Sequence, residues 1–281
     1  MLQEREKNDM KDPRSLSADH ESYYAARQVL EIKSLNKVFQ VNGSSHSILE
    51  GVTFNAMRGE LICLLGRSGC GKSTLLKILA GFITPTSGQV LLEEERIRGP
   101  GADRCVVFQE DALFPWLTIE ENIAFGLKSR EMSKSAVRDE VGRFLSLVGL
   151  SDFRGYLPRE SSGGMKQRVA LARVLILKPK VLLMDEPFGA LDCQTREEMQ
   201  DLLLLLWKQL SMTIVFVTHD SSEALLLADR ILVMGASSGN IEQEIRVEID
   251  RPRVREEGTF LSMMCRLHEL LRPGGAGCYG I

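Results

Sequence analysis

One stretch constrains the fold of this chain more than any other: Gly66-Arg67-Ser68-Gly69-Cys70-Gly71-Lys72-Ser73-Thr74. It follows the apolar run LICLL at 61–65, which reads as a buried parallel strand, and it leads into STLLKILAG, which reads as a helix. Glycine, four residues, then Gly-Lys-Ser between a strand and a helix is the pattern of a phosphate-binding loop. The glycines let the backbone turn tightly enough to aim several N–H groups at phosphate, and the positive end of the following helix adds to that field. Lys72 is then expected to reach the β- and γ-phosphates of a nucleotide. Ser73 offers a hydroxyl to Mg²⁺, and Thr74 a further phosphate contact. A chance glycine turn is the alternative, and the flanking strand and helix weigh against it.

Three more runs share the buried-strand character: CVVFQ at 105–109, VLLMD at 181–185 and TIVFVT at 213–218. Four such strands imply one parallel sheet in an α/β domain. Ahead of them, VLEIK, KVFQV and ILEGVTFNAM, punctuated by Asn42-Gly43 and Arg58-Gly59, read as a small antiparallel β layer. Between CVVFQ and VLLMD lies a helical insertion at about 110–175, in which Val137, Val141, Phe144 and Val148 share one helix face. In EEMQDLLLLLWKQL, Met199, Leu202, Leu203, Leu206 and Leu210 form a stripe, with Leu204, Leu205 and Trp207 around the rest. That apolar excess predicts a helix buried on several sides. Residues 1–27 mix charges and serines without apolar period and are expected to be a disordered arm. The expected domain spans 28–255, followed by a short amphipathic helix and tail over 256–281.

Further side chains collect at the expected strand ends. Asp185 and Glu186 close VLLMDEP; on a strand adjacent side chains point opposite ways, so Asp185 could hold the Mg²⁺ shell while Glu186 activates the attacking water. His219, just past TIVFVT, could hydrogen-bond the γ-phosphate or water, or be a structural histidine. Gln109, ending CVVFQ, could touch Mg²⁺ or the attacking water, or be a buried structural amide. In ESSGGMKQRVALARVL a helix starts at a serine and two glycines, forming a second anion site. One nucleotide does not need two such sites in one subunit. If two copies faced each other, Ser162, Gly163 and Gly164 of one could close over the γ-phosphate held by the other; an ordinary N-capped helix is the alternative.

In this fixed order, GRSGCGKST, Gln109, SSGGMKQR, VLLMDE, GALD and His219, the chain resembles the ATP-binding subunit of ABC transporters over about 29–255. The resemblance implies a P-loop NTPase core that binds ATP and Mg²⁺ and hydrolyses ATP as a dimer of the same chain on transmembrane permease subunits, with a solute-binding protein acting indirectly. It places Phe39 where an aromatic ring stacks on adenine, and Asp192 in the loop linking the two active sites. The segment FQEDALFPWLTIEENIAFGL is similar to the branch that imports nitrate, sulfonates, taurine and related small solutes. Two positions depart from the family pattern: Ser161 stands where leucine is usual, and Gly189 where serine is more frequent. Neither removes a phosphate ligand, although loss of the leucine is expected to loosen the helix that follows.

Charge and hydropathy narrow the alternatives. Lys and Arg number 35 against 38 Asp and Glu, a net charge of -3, which gives no basic excess to steer the chain toward nucleic acid. No apolar run approaches the length of a membrane span, and the start lacks a hydrophobic signal core, so the chain is expected to stay in the cytoplasm; the resemblance implies that it sits there at the face of the membrane as a peripheral subunit. The six cysteines form no C-x-x-C pair and read as reduced thiols. A soluble ATPase of DNA maintenance or translation would need a long coiled coil or a second core, and the chain has neither. A nucleotide-dependent module without turnover is disfavoured by Glu186 and His219.

Overall fold

Asn42 and Gly43, both with left-handed backbone (φ 51° and 80°), make the two-residue turn that folds strand β1 (Gln28–Val41) onto β2 (Ser44–Met57). The computed structural model describes residues 28–108, 112–235 and 239–271. The expected N-terminal arm, Gln109 and the C-terminal tail from 272 lie outside the described residues. VLEIK and KVFQV are one strand rather than two. Register shifts between Ile32 and Lys37, with Ser34 at φ 46°, bend β1 without ending it. Strands β4 (Ser87–Leu92) and β5 (Glu95–Arg96) complete an antiparallel sheet ordered β2-β1-β4-β5.

The second sheet has the order β10-β9-β3-β8-β7-β6, built from β3 (Leu61–Leu65), β6 (Arg104–Val107), β7 (Val181–Asp185), β8 (Thr213–Thr218), β9 (Arg230–Met234) and β10 (Ile241–Arg246). Five strands run parallel and β10 joins the edge antiparallel. The sequence reading anticipated four of them. It missed β9 because that strand opens on an arginine, and β10 because an edge strand reading IEQEIR is mostly polar. Arg230 can start a buried strand because its guanidinium is met by Glu60 at 2.8 Å and Glu244 at 3.0 Å.

Side-chain alternation on the parallel strands separates two cores. Leu61, Cys63, Leu65, Leu182, Met184, Ile214 and Phe216 face the larger set of helices. Ile62, Leu64, Val181, Leu183, Val215 and Val217 face helix α1 (Lys72–Leu79) and the antiparallel sheet. Between β6 and β7 the chain forms α2 (Ile119–Ala124), α3 (Lys134–Leu147) and α4 (Gly163–Leu175). Val141, Phe144 and Val148 are buried there, with Val137 packed at their edge. Helix α5 (Cys193–Leu210) buries Met199, Leu203 and Leu206, but Leu205 is half exposed, so one side remains open to solvent. Helices α6 (Ser221–Leu227) and α7 (Gly258–Leu270) follow β8 and β10.

The strand registers bring three chain turns to one level. Leu65 of β3 is opposite Thr218 of β8, and Asp185 of β7 is opposite Val217. The residues that leave the sheet next are Gly66, His219 and Glu186, at the carboxyl edge where parallel sheets bind ligands.

The seven-residue helix α6, which immediately follows His219, is held at both ends. Asp220 Oδ1 accepts from the N–H groups of Ser222 (2.8 Å) and Glu223 (3.3 Å). At the other end the buried guanidinium of Arg253 donates to the carbonyls of Leu225 (2.7 Å), Leu226 (3.2 Å) and Ala228 (2.7 Å), and burial pulls its pKa down to about 10. Arg253→Ala should cost about 2–4 kcal/mol, because several charge-assisted hydrogen bonds are lost together. Arg253→Lys should recover only part, since an ammonium cannot span the same carbonyls. The urea unfolding midpoint measures this, and an unchanged midpoint in Arg253→Ala would show that the contact contributes nothing.

Candidate active site

The loop after β3 closes because two of its glycines have no room for a side chain. Gly71 has φ 101°, and a Cβ there would lie 2.9 Å from the Ile48 carbonyl oxygen and from Leu49. A Cβ on Gly66 would lie 2.8 Å from Cys70 Sγ. Arg67, Ser68 and Gly69 form the exposed crest of the loop, whereas Cys70 is buried beneath it. Among the described residues the backbone N–H groups of Ser68 and Gly69 have no intramolecular partner. Lys72 is buried, and its ammonium lies inside the curl, donating to the carbonyls of Gly66 (2.7 Å) and Arg67 (2.9 Å). A fixed positive charge therefore sits at the centre of the loop. Helix α1 starts at Gly71 with no side-chain cap and no acidic residue in its first turn, so its positive end is left for a ligand.

Ser73 and Thr74 are half-buried in the first turn of α1. Ser73 Oγ donates to Asp185 Oδ1 at 3.0 Å, which ties the loop to the end of β7. A hydroxyl and a carboxylate side by side are a donor set that fits a hard divalent cation such as Mg²⁺. Glu186 does not continue the strand alternation that the sequence suggested. Strand β7 ends at Asp185, and Glu186 turns off with φ 44°, a left-handed conformation that costs a non-glycine residue about 1–2 kcal/mol. Its N–H donates to the Val217 carbonyl at 3.0 Å, and its own carbonyl accepts from Gly189 at 3.2 Å. The turn brings Glu186 Oε2 to 3.2 Å from His219 Nδ1, while the His219 ring stays 62% exposed. Asp185, Glu186 and His219 thus stand together beside the loop. Phe39 lies on β1 opposite His46, with the Lys37 ammonium 4.7 Å from its ring centroid.

Ser162 caps α4 by accepting from the Met165 N–H at 3.2 Å. Gly164 is pressed against α5, where a Cβ would meet Thr195 Cγ2 at 2.7 Å; the space beside Gly163 is open for at least 4 Å. Ser161 stands immediately before that cap. Its hydroxyl donates to the Leu157 carbonyl at 3.2 Å, closing the turn before α4, and the Ser162 cap is formed. Asp192 caps α5 in the same way, accepting from Thr195 N–H at 3.0 Å, and that bond lowers its pKa. Helices α4 and α5 therefore spend their N-terminal donors partly on their own serine and aspartate, unlike α1.

Two features escaped the sequence reading. Glu223 is buried in the first turn of α6, four residues past His219; a lone acid among the apolar residues of SSEALLL was the available signal. On the helical insertion an aromatic patch lies open: Trp116 is 72% exposed, and Phe114 packs against both Trp116 (5.7 Å) and Phe125 (4.4 Å). It shares the segment that follows Gln109, and a patch of this kind marks a contact surface.

Comparison with known proteins identifies the relatives of the chain. The family model described as ABC transporter matches residues 49–189. The nitrate import ATP-binding protein NrtD of Synechocystis sp. is 44% identical over 252 residues, covering 86% of this chain and 95% of its own length. The taurine import ATP-binding protein TauB of Roseobacter denitrificans is 48% identical, covering 78% of this chain and 82% of its own. Among solved structures, cbiO1 from Clostridium perfringens, part of the ABC transporter complex cbiONQ, superposes with a TM-score of 0.72 at 29% identity, over 79% of this chain and 90% of that one. A dimeric post-hydrolysis structure of the ATP-binding cassette MJ0796, bound to ADP and Pi, gives 0.68 at 30% identity, over 79% and 100%. On this sequence, fold and site, the chain belongs to the ABC transporter family as one of its ATP-binding subunits.

Proposed function

We propose that the chain is the ATP-hydrolysing subunit of an importer for nitrate, a sulfonate, taurine or a related small solute, and that it works as a homodimer on permease subunits at the cytoplasmic face of the membrane. The carrying observation is the convergence of Lys72, Ser73, Asp185, Glu186 and His219 at one level of the sheet edge. The solute class is supported by the import proteins among the relatives.

In this reading the amides from Gly66 to Gly71 and the Lys72 ammonium hold the β- and γ-phosphates, and Thr74 adds a contact. Ser73 and Asp185 would hold Mg²⁺, with Gln109, outside the described residues, as a further ligand. When bound, the ion would supply neutralisation of the negative charge on the phosphates. Phe39 stacks on adenine. Glu186 accepts a proton from the attacking water, held in reach by its left-handed turn, and His219 contacts the γ-phosphate. A second copy closes the site with Ser162, Gly163 and Gly164, the open side of Gly163 admitting the phosphate. Asp192, at the start of α5, lies at the seam between copies. The aromatic patch around Trp116 receives a cytoplasmic loop of the permease, so that closure of the dimer moves the membrane subunits, with the solute-binding protein acting through them.

Lys72→Ala should weaken ATP binding roughly 100-fold or more, because it removes the fixed charge at the centre of the loop. Titration with a fluorescent ATP analogue measures this, and parental affinity would remove Lys72 from the phosphate site. Glu186→Gln should slow hydrolysis by roughly 10²–10⁴-fold while leaving binding intact. With MgATP that variant should elute as a dimer and without it as a monomer, read by size-exclusion chromatography with light scattering. Parental turnover would exclude Glu186 as the base, and slow turnover with no ATP-dependent dimer would count against the shared site.

A further inference from the structure

Glu223 is a carboxyl only 5% exposed that takes no part in the reaction described above. The directions of its hydrogen bonds follow from the donors around it. The Asp220 N–H donates to Thr218 Oγ1 at 3.1 Å, and the Thr218 hydroxyl donates to Glu223 Oε2 at 2.6 Å. The other oxygen accepts from Gln200 Nε2 at 3.1 Å, and Gln200 Oε1 accepts in turn from Arg255 at 2.8 Å. Burial pushes the Glu223 pKa up while the Thr218 bond opposes it. Thr218 and Gln200 are themselves buried, so no solvent competes for these bonds.

The residues tied down in this way bracket His219. Thr218 precedes it and Asp220 follows it; Thr218 is joined to the first turn of α6 through the Glu223 carboxylate, and Asp220 through the N–H groups of Ser222 and Glu223 and through its own N–H to Thr218. His219 has little packing of its own, with a ring that is mostly exposed, so its approach to Glu186 depends on the backbone that carries it. Gln200 belongs to α5, the helix capped by Asp192 and packed on Gly164, and Arg255 belongs to the segment that enters α7.

We propose that Glu223 is a positioning residue for His219, and that Gln200 and Arg255 make that position depend on helix α5 and on the segment entering the C-terminal helix. The proposal rests on the reading of His219 as a γ-phosphate contact. Glu223 itself touches no substrate. It sets where the strand end β8 delivers its histidine, and any displacement of α5 on dimer closure reaches that histidine through two side-chain hydrogen bonds.

Steady-state ATPase rates and ATP affinity should be measured for Glu223→Ala, Thr218→Val, Arg255→Ala and His219→Ala, and for each of the first three combined with His219→Ala. Alone, Glu223→Ala and Thr218→Val should each lower kcat roughly 10-fold and change ATP affinity by less than about twofold, within the range of coupling between residues in contact. Arg255→Ala should lower it in the same direction by about threefold. In the His219→Ala background none of them should lower kcat by more than about twofold. Glu223→Gln should restore most of the rate, since its amide can still accept from Gln200 and donate to Thr218. Thr218→Val removes one hydroxyl at nearly constant volume, so it answers the question even where Glu223→Ala fails to fold. Losses that multiply with His219→Ala, or parental kcat in Thr218→Val, would overturn the proposal while leaving the role of His219 intact. Parental kcat in His219→Ala alone would overturn both.

Discussion

The common level at which β3, β7 and β8 leave the sheet is the constraint on which the rest of the site depends. The pairings Leu65 with Thr218 and Asp185 with Val217 fix that level. A slip of one residue would turn every side chain of the slipped strand to the other face and exchange the two cores. The registers are held because all three strands are buried on both faces, between α1 with the antiparallel sheet on one side and the larger helical layer on the other. Glu186 and His219 are therefore exit residues of a buried sheet, while Lys72 and Ser73 follow at the start of α1. Glu186 and His219 leave neighbouring strands and need no long-range adjustment to meet.

Helix ends divide the labour around this edge. Helices α4, α5 and α6 each begin with a side-chain cap, from Ser162, Asp192 and Asp220. Helix α1 begins at a glycine with none, and the Lys72 ammonium is drawn back over the same loop. The positive end without its own anion is the one that the phosphate loop presents. Strain falls on the acid side of the site. Glu186 sits in a left-handed turn held by bonds to Val217 and Gly189, an arrangement that directs a carboxylate toward His219 instead of along the strand.

Much of this was legible in the sequence because it is local. The spacing of Gly66, Gly71, Lys72 and Ser73 is meaningful only between a strand and a helix, and both neighbours announce themselves within a few residues. The Asn42-Gly43 turn is equally local. What stayed hidden depends on partners far along the chain. Strand β9 opens on Arg230, acceptable only because Glu60 and Glu244 arrive from elsewhere. The conformation of Glu186 cannot be read from a strand pattern, since its φ is set by a neighbouring strand through the Val217 carbonyl. Ser161 looked like a lost apolar contact, yet its hydroxyl closes the turn back to Leu157. Glu223 gave one weak signal, an acid on an apolar helix face, and its meaning required Gln200 and Arg255.

The central claim is that one ATP is enclosed by the phosphate loop of one copy and the start of α4 of another. Mixing two inactive variants tests it most directly. Lys72→Ala disables the loop, and Gly163→Asp places a carboxylate in the open space where the γ-phosphate of the partner would lie. A heterodimer of the two has one site in which both halves are intact. The mixture should regain about a quarter of parental ATPase activity, from half the dimers carrying half their sites, while each variant alone stays inactive. A mixture no more active than the separate variants would contradict the shared site.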